Sequence, residues 1–189
     1  MANIIQLLPD HVANQIAVIA IIAIGMTLVI ITAGIDLSVG SLIAFSAVLA
    51  TWIIREWMGA GDATAMGMFA GCILAMLACA GLGLFSGSMV AVFGVPPFVT
   101  SLGMMMVASG LAYLLSGGLS IYQLPPSFDW LGRGDDLFGI PNAVVLMIIL
   151  YLLAHLLMSR TVVGRQVYAV GGNTEAARLS GVCLLYTSD

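Results

Sequence analysis

Apolar residues run through this chain in long unbroken blocks, not at alternating positions or on one helical face. Five blocks stand out, at 15–34, 37–54, 65–93, 98–116 and 142–158, each divided from the next by turn residues or charge. A helix of about 20 mostly apolar residues crosses a bilayer, so the pattern predicts five spans. A membrane β-barrel would alternate apolar and polar residues over segments of roughly 10, and the run IAVIAIIAIGMTLVIITAG does not. The fold class expected is all-α, a polytopic transmembrane helical bundle. The third block would be about 44 Å long as a straight helix, so it must tilt, bend or run past the hydrocarbon.

That third block also carries a row of small residues spaced by four: Gly67, Gly71, Ala75, Cys79, Gly83, Gly87 and Ala91. Lipid gives helices little hydrophobic reason to associate, and close backbone approach across small side chains supplies van der Waals attraction instead. The row is therefore expected to be a packing groove, and Gly71→Leu or Gly83→Leu to disrupt assembly. Lining of a solute route is the other reading.

Composition sharpens the picture. Charged residues are 7% of the 189 and hydrophobic ones 61%, against roughly 25% charged in ordinary soluble domains. No Asp, Glu, Lys, Arg or His occurs from Ala63 to Phe128. All five basic residues are Arg, so no Walker A loop with its phosphate-binding Lys can be present. The net charge of −4 offers nucleic acid no basic patch. Cys72, Cys79 and Cys183 form no CxxC pair and no set with His at metal spacing, so no metal site is expected. MANIIQLLPDHVANQ lacks the basic region of a signal peptide.

Arg residues set the expected orientation, because short cytoplasmic loops hold the excess of basic side chains. Arg160, Arg165 and Arg178 put segment 159–181 inside. Counting back puts loop 117–141 outside, GVPP at 94–97 inside, 55–64 outside, the turn at 35–36 inside and residues 1–14 outside. Loop 117–141 has Asp129, Asp135 and Asp136 against Arg133, and Trp52 and Trp57 fall at the outer interface. The turn at 35–36 is so tight that 15–54 could equally be one broken or re-entrant element.

Two polar constellations remain. The first, Gly34-Ile35-Asp36-Leu37-Ser38-Val39-Gly40-Ser41, interrupts two apolar runs. Irregular backbone at membrane depth persists only inside protein or beside a water-filled cavity, and an intramembrane carboxylate is a functional candidate. Asp36 would cap a helix starting at Leu37, act directly on a solute, or do both. The second is Gly171-Gly172-Asn173-Thr174-Glu175-Ala176-Ala177-Arg178-Leu179-Ser180-Gly181-Val182. Asn173 suits an N-cap, Glu175 a first turn and Gly181 the position after the C-cap. So short a helix needs a surface to rest on, its own bundle or a partner. His155, near Arg160, suits a helix C-terminus better than a proton relay, since its span has no other ionisable group at depth.

Three runs resemble a known family. GMTLVIITAGIDLSVGSLIAFSAVLA (25–50), PPFVTSLGMMMVASGLAYLLSGG (96–118) and GRQVYAVGGNTEAARLSGV (164–182) look like the inner-membrane permease of ribose-type ABC sugar importers. The resemblance implies a permease working by alternating access in the bacterial cytoplasmic membrane, paired with a second permease copy. It also implies cytoplasmic ATPase subunits, a periplasmic solute-binding protein and contact with membrane lipid. ATP and Mg would belong to the ATPase, with no cofactor and no catalytic residue in this chain.

Segment 171–182 resembles the family's ATPase-docking loop, with Glu175, Ala176, Ala177 and Gly181 matching E-A-A-x-x-x-G and Asn173 and Arg178 on the same helix. Gly34, Asp36, Ser38, Gly40 and Ser41 fall in a family motif, a candidate pathway or helix break. Family members carry another span before the position of Asn3 and several after the docking loop. The chain therefore reads as a partial permease domain, 1–182, followed by an atypical and perhaps foreign tail at 183–189, CLLYTSD. Rivals are a branched-chain amino acid or nucleoside ABC permease, an ion-coupled secondary transporter, and a non-transporting membrane subunit. The second needs ion ligands at the midplane, and the third leaves the E-A-A helix without a task.

Overall fold

A computed structural model describes residues 2–122, 124–130, 134 and 140–181, with the side chains of 2–11 and 129 left out. The helices are α1 (Ala2–Ile31), α2 (Val39–Trp57), α3 (Ala65–Phe93), α4 (Pro97–Ser116), α5 (Asn142–Arg160), α6 (Val162–Gly172) and α7 (Thr174–Leu179). Short 3-10 turns occupy Ala60–Asp62 and Pro126–Asp129. Five segments are long and apolar enough to cross a bilayer: Val12–Ile31, α2, α3, α4 and α5. Of the charges expected to give loop 117–141 its acidic surplus, Asp135 and Asp136, together with the opposing Arg133, lie outside the described residues, as does the 183–189 tail.

Two span limits differ from those the apolar blocks predict. The first span ends at Ile31 instead of 34, because the chain turns at Thr32 and Ala33: the Ala33 amide bonds the Ile30 carbonyl at 3.0 Å and the Gly34 amide the Val29 carbonyl at 3.0 Å. Hydropathy alone runs on through Thr-Ala-Gly without registering that turn. The second span begins at Val39 instead of 37. Segment 162–172, expected only as a charged cytoplasmic stretch, is the helix α6.

Two compact units result. In Ile35–Phe128, α2 lies between α3 and α4. Gly67 faces Met58, Gly71 faces Ile54, and the Cys79 thiol donates to the Leu42 carbonyl at 3.7 Å. Positions rise along α3 as they fall along α2, so the two run antiparallel. Ser101 meets Ile35 near the start of α4, while Phe45 packs with Ala108 and Ala112 further on. Here both numbers rise together, so α2 and α4 are parallel, as crossing, returning and crossing again requires. Thr64 caps α3 by accepting from the Gly67 amide, and Gly94 closes it at φ 66°, in the left-handed region glycine enters freely. Pro96 and Pro97 then start α4, where a missing amide costs nothing. At the far end of α2 the Trp52 and Trp57 rings meet edge-on at 5.6 Å.

The other unit holds α1, α5, α6 and α7. An open apolar groove of about 500 Å³ between α1 and α5 is lined by Ala20, Met147, Ile148, Tyr151, Leu152 and His155. Thr161 ends α5 and caps α6: its hydroxyl donates to the Leu157 carbonyl at 2.5 Å and accepts from the Gly164 amide at 3.2 Å. A Cβ at Gly164 would overlap the Met158 carbonyl, so the corner is as tight as backbone permits.

Candidate functional sites: a polar helix break and a short capped helix

The buried polar residues among those described are Ser38, Ser41 and Ser101, and all three sit at one place. Their setting begins with Asp36, whose Oδ1 accepts from the Ser38 amide at 2.8 Å and the Ser38 hydroxyl at 2.6 Å. A carboxylate bonding the amide two residues ahead makes an Asx turn. Asp36 therefore folds the entry to α2 without being its N-cap, a position taken by Ser38, whose side chain makes no capping bond to the helix. The Ser41 hydroxyl donates to the Ser38 carbonyl at 2.7 Å. From α4 the Ser101 hydroxyl reaches the Ile35 carbonyl at 3.2 Å and its own helix's Phe98 carbonyl at 3.1 Å. Each buried hydroxyl thus has an acceptor, as burial away from water demands.

Asp36, Ser38 and Ser41 come together as the interrupted motif suggests. Gly34 closes the α1 turn, where a Cβ would sit 3.1 Å from Val29 Cγ1. Gly40 has open space around it. Ser101 joins the cluster from 66 positions away in the chain, and nothing in its apolar surroundings distinguishes it beforehand. The arrangement holds a bend in fixed shape and keeps one half-buried carboxylate at it. No three His, Cys, Asp or Glu side chains gather to hold a metal among the described residues.

The small-residue row on α3 divides in two. A Cβ at Gly67 would meet Met58 Cβ at 3.3 Å and one at Gly71 would meet Ile54 Cγ1 at 2.9 Å, while Ala75 is buried. With Cys79 these residues lie against α2. Gly83 and Gly87 have nothing within 4 Å of a built Cβ, and Ala91 is half-buried. Among the described residues, the half of the row from Gly67 to Cys79 is filled by α2, while Gly83 and Gly87 face open space.

On α7, the Asn173 side chain accepts from the Ala176 amide at 3.0 Å, which makes Asn173 the N-cap. Gly181 takes φ 83° just beyond the last turn, a value that suits glycine after a C-cap. Ala177 is buried, whereas Glu175, Ala176, Arg178 and Leu179 are exposed, Leu179 to 85%. The helix thus rests on one small residue and turns an acid, a base and an apolar side chain outward.

The chain belongs to the family described as branched-chain amino acid transport system / permease component, which it matches over residues 8–187. It is a multi-pass membrane protein of that family. Among relatives it is 37% identical to the Ribose import permease protein RbsC of Escherichia coli K12 over 176 residues, 91% of this chain and 52% of the relative. To the Galactofuranose transporter permease protein YtfT of the same organism it is 36% identical over 180 residues, 92% and 48% of the two chains. To the Fructose import permease protein FruF of Bifidobacterium longum it is 36% identical over 169 residues, 85% and 44%. The chain spans about half the length of these curated relatives. No solved structure matches it.

Proposed function

We propose that the chain forms the transmembrane part of a permease subunit in an ATP-binding-cassette importer of the bacterial inner membrane, carrying a monosaccharide or a similar small polar solute by alternating access. Relatives named for ribose, galactofuranose and fructose support the solute class. The observation that carries the mechanism is α7, a capped helix whose outward face, Glu175, Arg178 and Leu179, is exposed among the described residues. Six residues hold a helix poorly in water, and a leucine left bare beside two charges suits a protein partner. That partner is a cytoplasmic ATPase, which supplies ATP and Mg chemistry this lysine-free chain does not carry.

A second permease copy would complete the pathway, and a periplasmic binding protein would deliver the solute. ATP binding and release select between inward and outward states only through differential affinity for them. The non-helical passage 32–38, which joins the first two spans and holds the buried polar cluster at Asp36, can take up a change of backbone angle.

Glu175→Arg in the full-length permease tests the docking assignment. Reversing a charge inside an interface costs about 2 kcal/mol or more, so ATPase recovered with the purified permease should fall roughly thirty-fold. Undiminished co-purification together with undiminished uptake would refute the assignment.

A further inference from the structure

The end of α1 and the last turn of α6 meet backbone to backbone. A Cβ built on Gly171 would overlap the Ile31 carbonyl oxygen and stand 2.9 Å from its carbonyl carbon and 3.3 Å from Ile31 Cγ2. One built on the next residue, Gly172, would meet nothing within 4 Å. Both glycines are helical and neither has a left-handed φ. Space, and not torsion, therefore requires glycine at 171.

The position of this contact in the chain gives it meaning. Asn173, the cap of α7, comes two residues after Gly171. Thr32, the first residue of the non-helical passage, directly follows Ile31, and Ala33 in that passage holds φ 58°. A backbone-to-backbone contact has no side chain that can change rotamer and absorb a displacement. Packed protein is nearly incompressible, so elements in such contact shift together. The passage beyond Ile31 lies outside the helical hydrogen-bond ladder, so its backbone torsions can take up a displacement that a helix would resist.

We infer that the Gly171–Ile31 contact is the relay by which movement of α7 reaches residues 32–34 and, along the chain, the Asp36 turn. Gly171 is then a positioning residue for transport, and this inference rests on α7 being the ATPase-docking helix.

The test uses the permease assembled with its ATPase in liposomes, as unmodified protein, Gly171→Ala and Gly172→Ala. Amide exchange is followed with and without Mg-ATP and vanadate. Unmodified protein and Gly172→Ala should show a nucleotide-dependent change of roughly five-fold or more at residues 32–38, the lower end of ordinary coupling factors. Gly171→Ala should keep its ATPase and lose that change. A retained response in Gly171→Ala, or an equal loss in Gly172→Ala, overturns the relay. If Gly171→Ala does not accumulate, the unmodified assembly decides. A nucleotide response at 168–173 with none at 32–38 overturns the relay alone, and parallel responses at both support it. An unmodified permease that retains no ATPase overturns the docking assignment and the relay together.

Discussion

Consider alanine placed at Gly71 and, separately, at Gly83, two positions of one small-residue row on α3. At Gly71 the new methyl would lie 2.9 Å from Ile54 Cγ1, 3.5 Å from Ile54 Cδ1 and 3.6 Å from the Ala50 carbonyl oxygen. Carbon atoms prefer about 3.5–4.0 Å. Ile54 is fully buried and cannot swing aside, so α2 itself must retreat by several tenths of an ångström. Such overpacking costs about 1–3 kcal/mol. Against it stands the gain of alanine over glycine in a helix, about 1 kcal/mol, which leaves a net loss of about 0–2 kcal/mol. At Gly83 nothing lies within 4 Å and only the gain remains. Propensity cancels in the comparison, so the two variants should differ by the packing cost alone, about 1–3 kcal/mol. Unfolding of the monomeric chain from mild detergent by added SDS, followed by circular dichroism, measures that difference. Equal midpoints, or a less stable Gly83→Ala, would refute the asymmetric packing of α3. The row alone suggests that leucine is equally harmful at both positions; within one chain a first side-chain carbon meets Ile54 at Gly71 and meets nothing within 4 Å at Gly83.

Two further outcomes follow from the passage between α1 and α2. Ala33→Gly relieves a left-handed alanine and should raise the thermal midpoint by about 1–3 °C, for a gain of about 0.5–1 kcal/mol; a lowered midpoint would contradict the strained turn. Ser101→Ala removes the hydroxyl that holds the Ile35 carbonyl, at a cost near 0.6 kcal/mol for a hydrogen bond between membrane helices. Amide exchange over residues 35–42 should quicken in Ser101→Ala but not in Ser101→Thr, and equal rates in both would dispose of the latch.

What could be read from the chain beforehand was whatever local chemistry encodes. Block length gave five spans, because a bilayer sets one length for all of them. Asn173 and Gly181 could be placed as the ends of α7, because capping requires a short acceptor at one end and a permissive φ at the other. The misses are tertiary or torsional. Ser101 lies in an apolar run like many other serines, and its importance arises only when parallel packing carries it to Ile35. The turn at Ala33 uses a residue whose type gives no warning of a left-handed φ. Asp36 looked like a cap because a cap and an Asx turn use the same carboxylate on amides only one or two residues apart. α6 was hidden because charge and glycine in 162–172 disguise a helix started by Thr161. The row on α3 was visible as a row, but which half meets α2 depends on where α2 ends.

The interior of this protein is made mostly of alanine, glycine and serine, with Ile54 its one wholly enclosed large side chain among the described residues. Such a surface has low relief. Two helices meshed through bulky knobs must lift apart before they can move along each other, whereas smooth backbones can glide while still touching. For the alternating access proposed above, in which shape changes at every turnover without letting water leak through, bearings of this kind are an advantage.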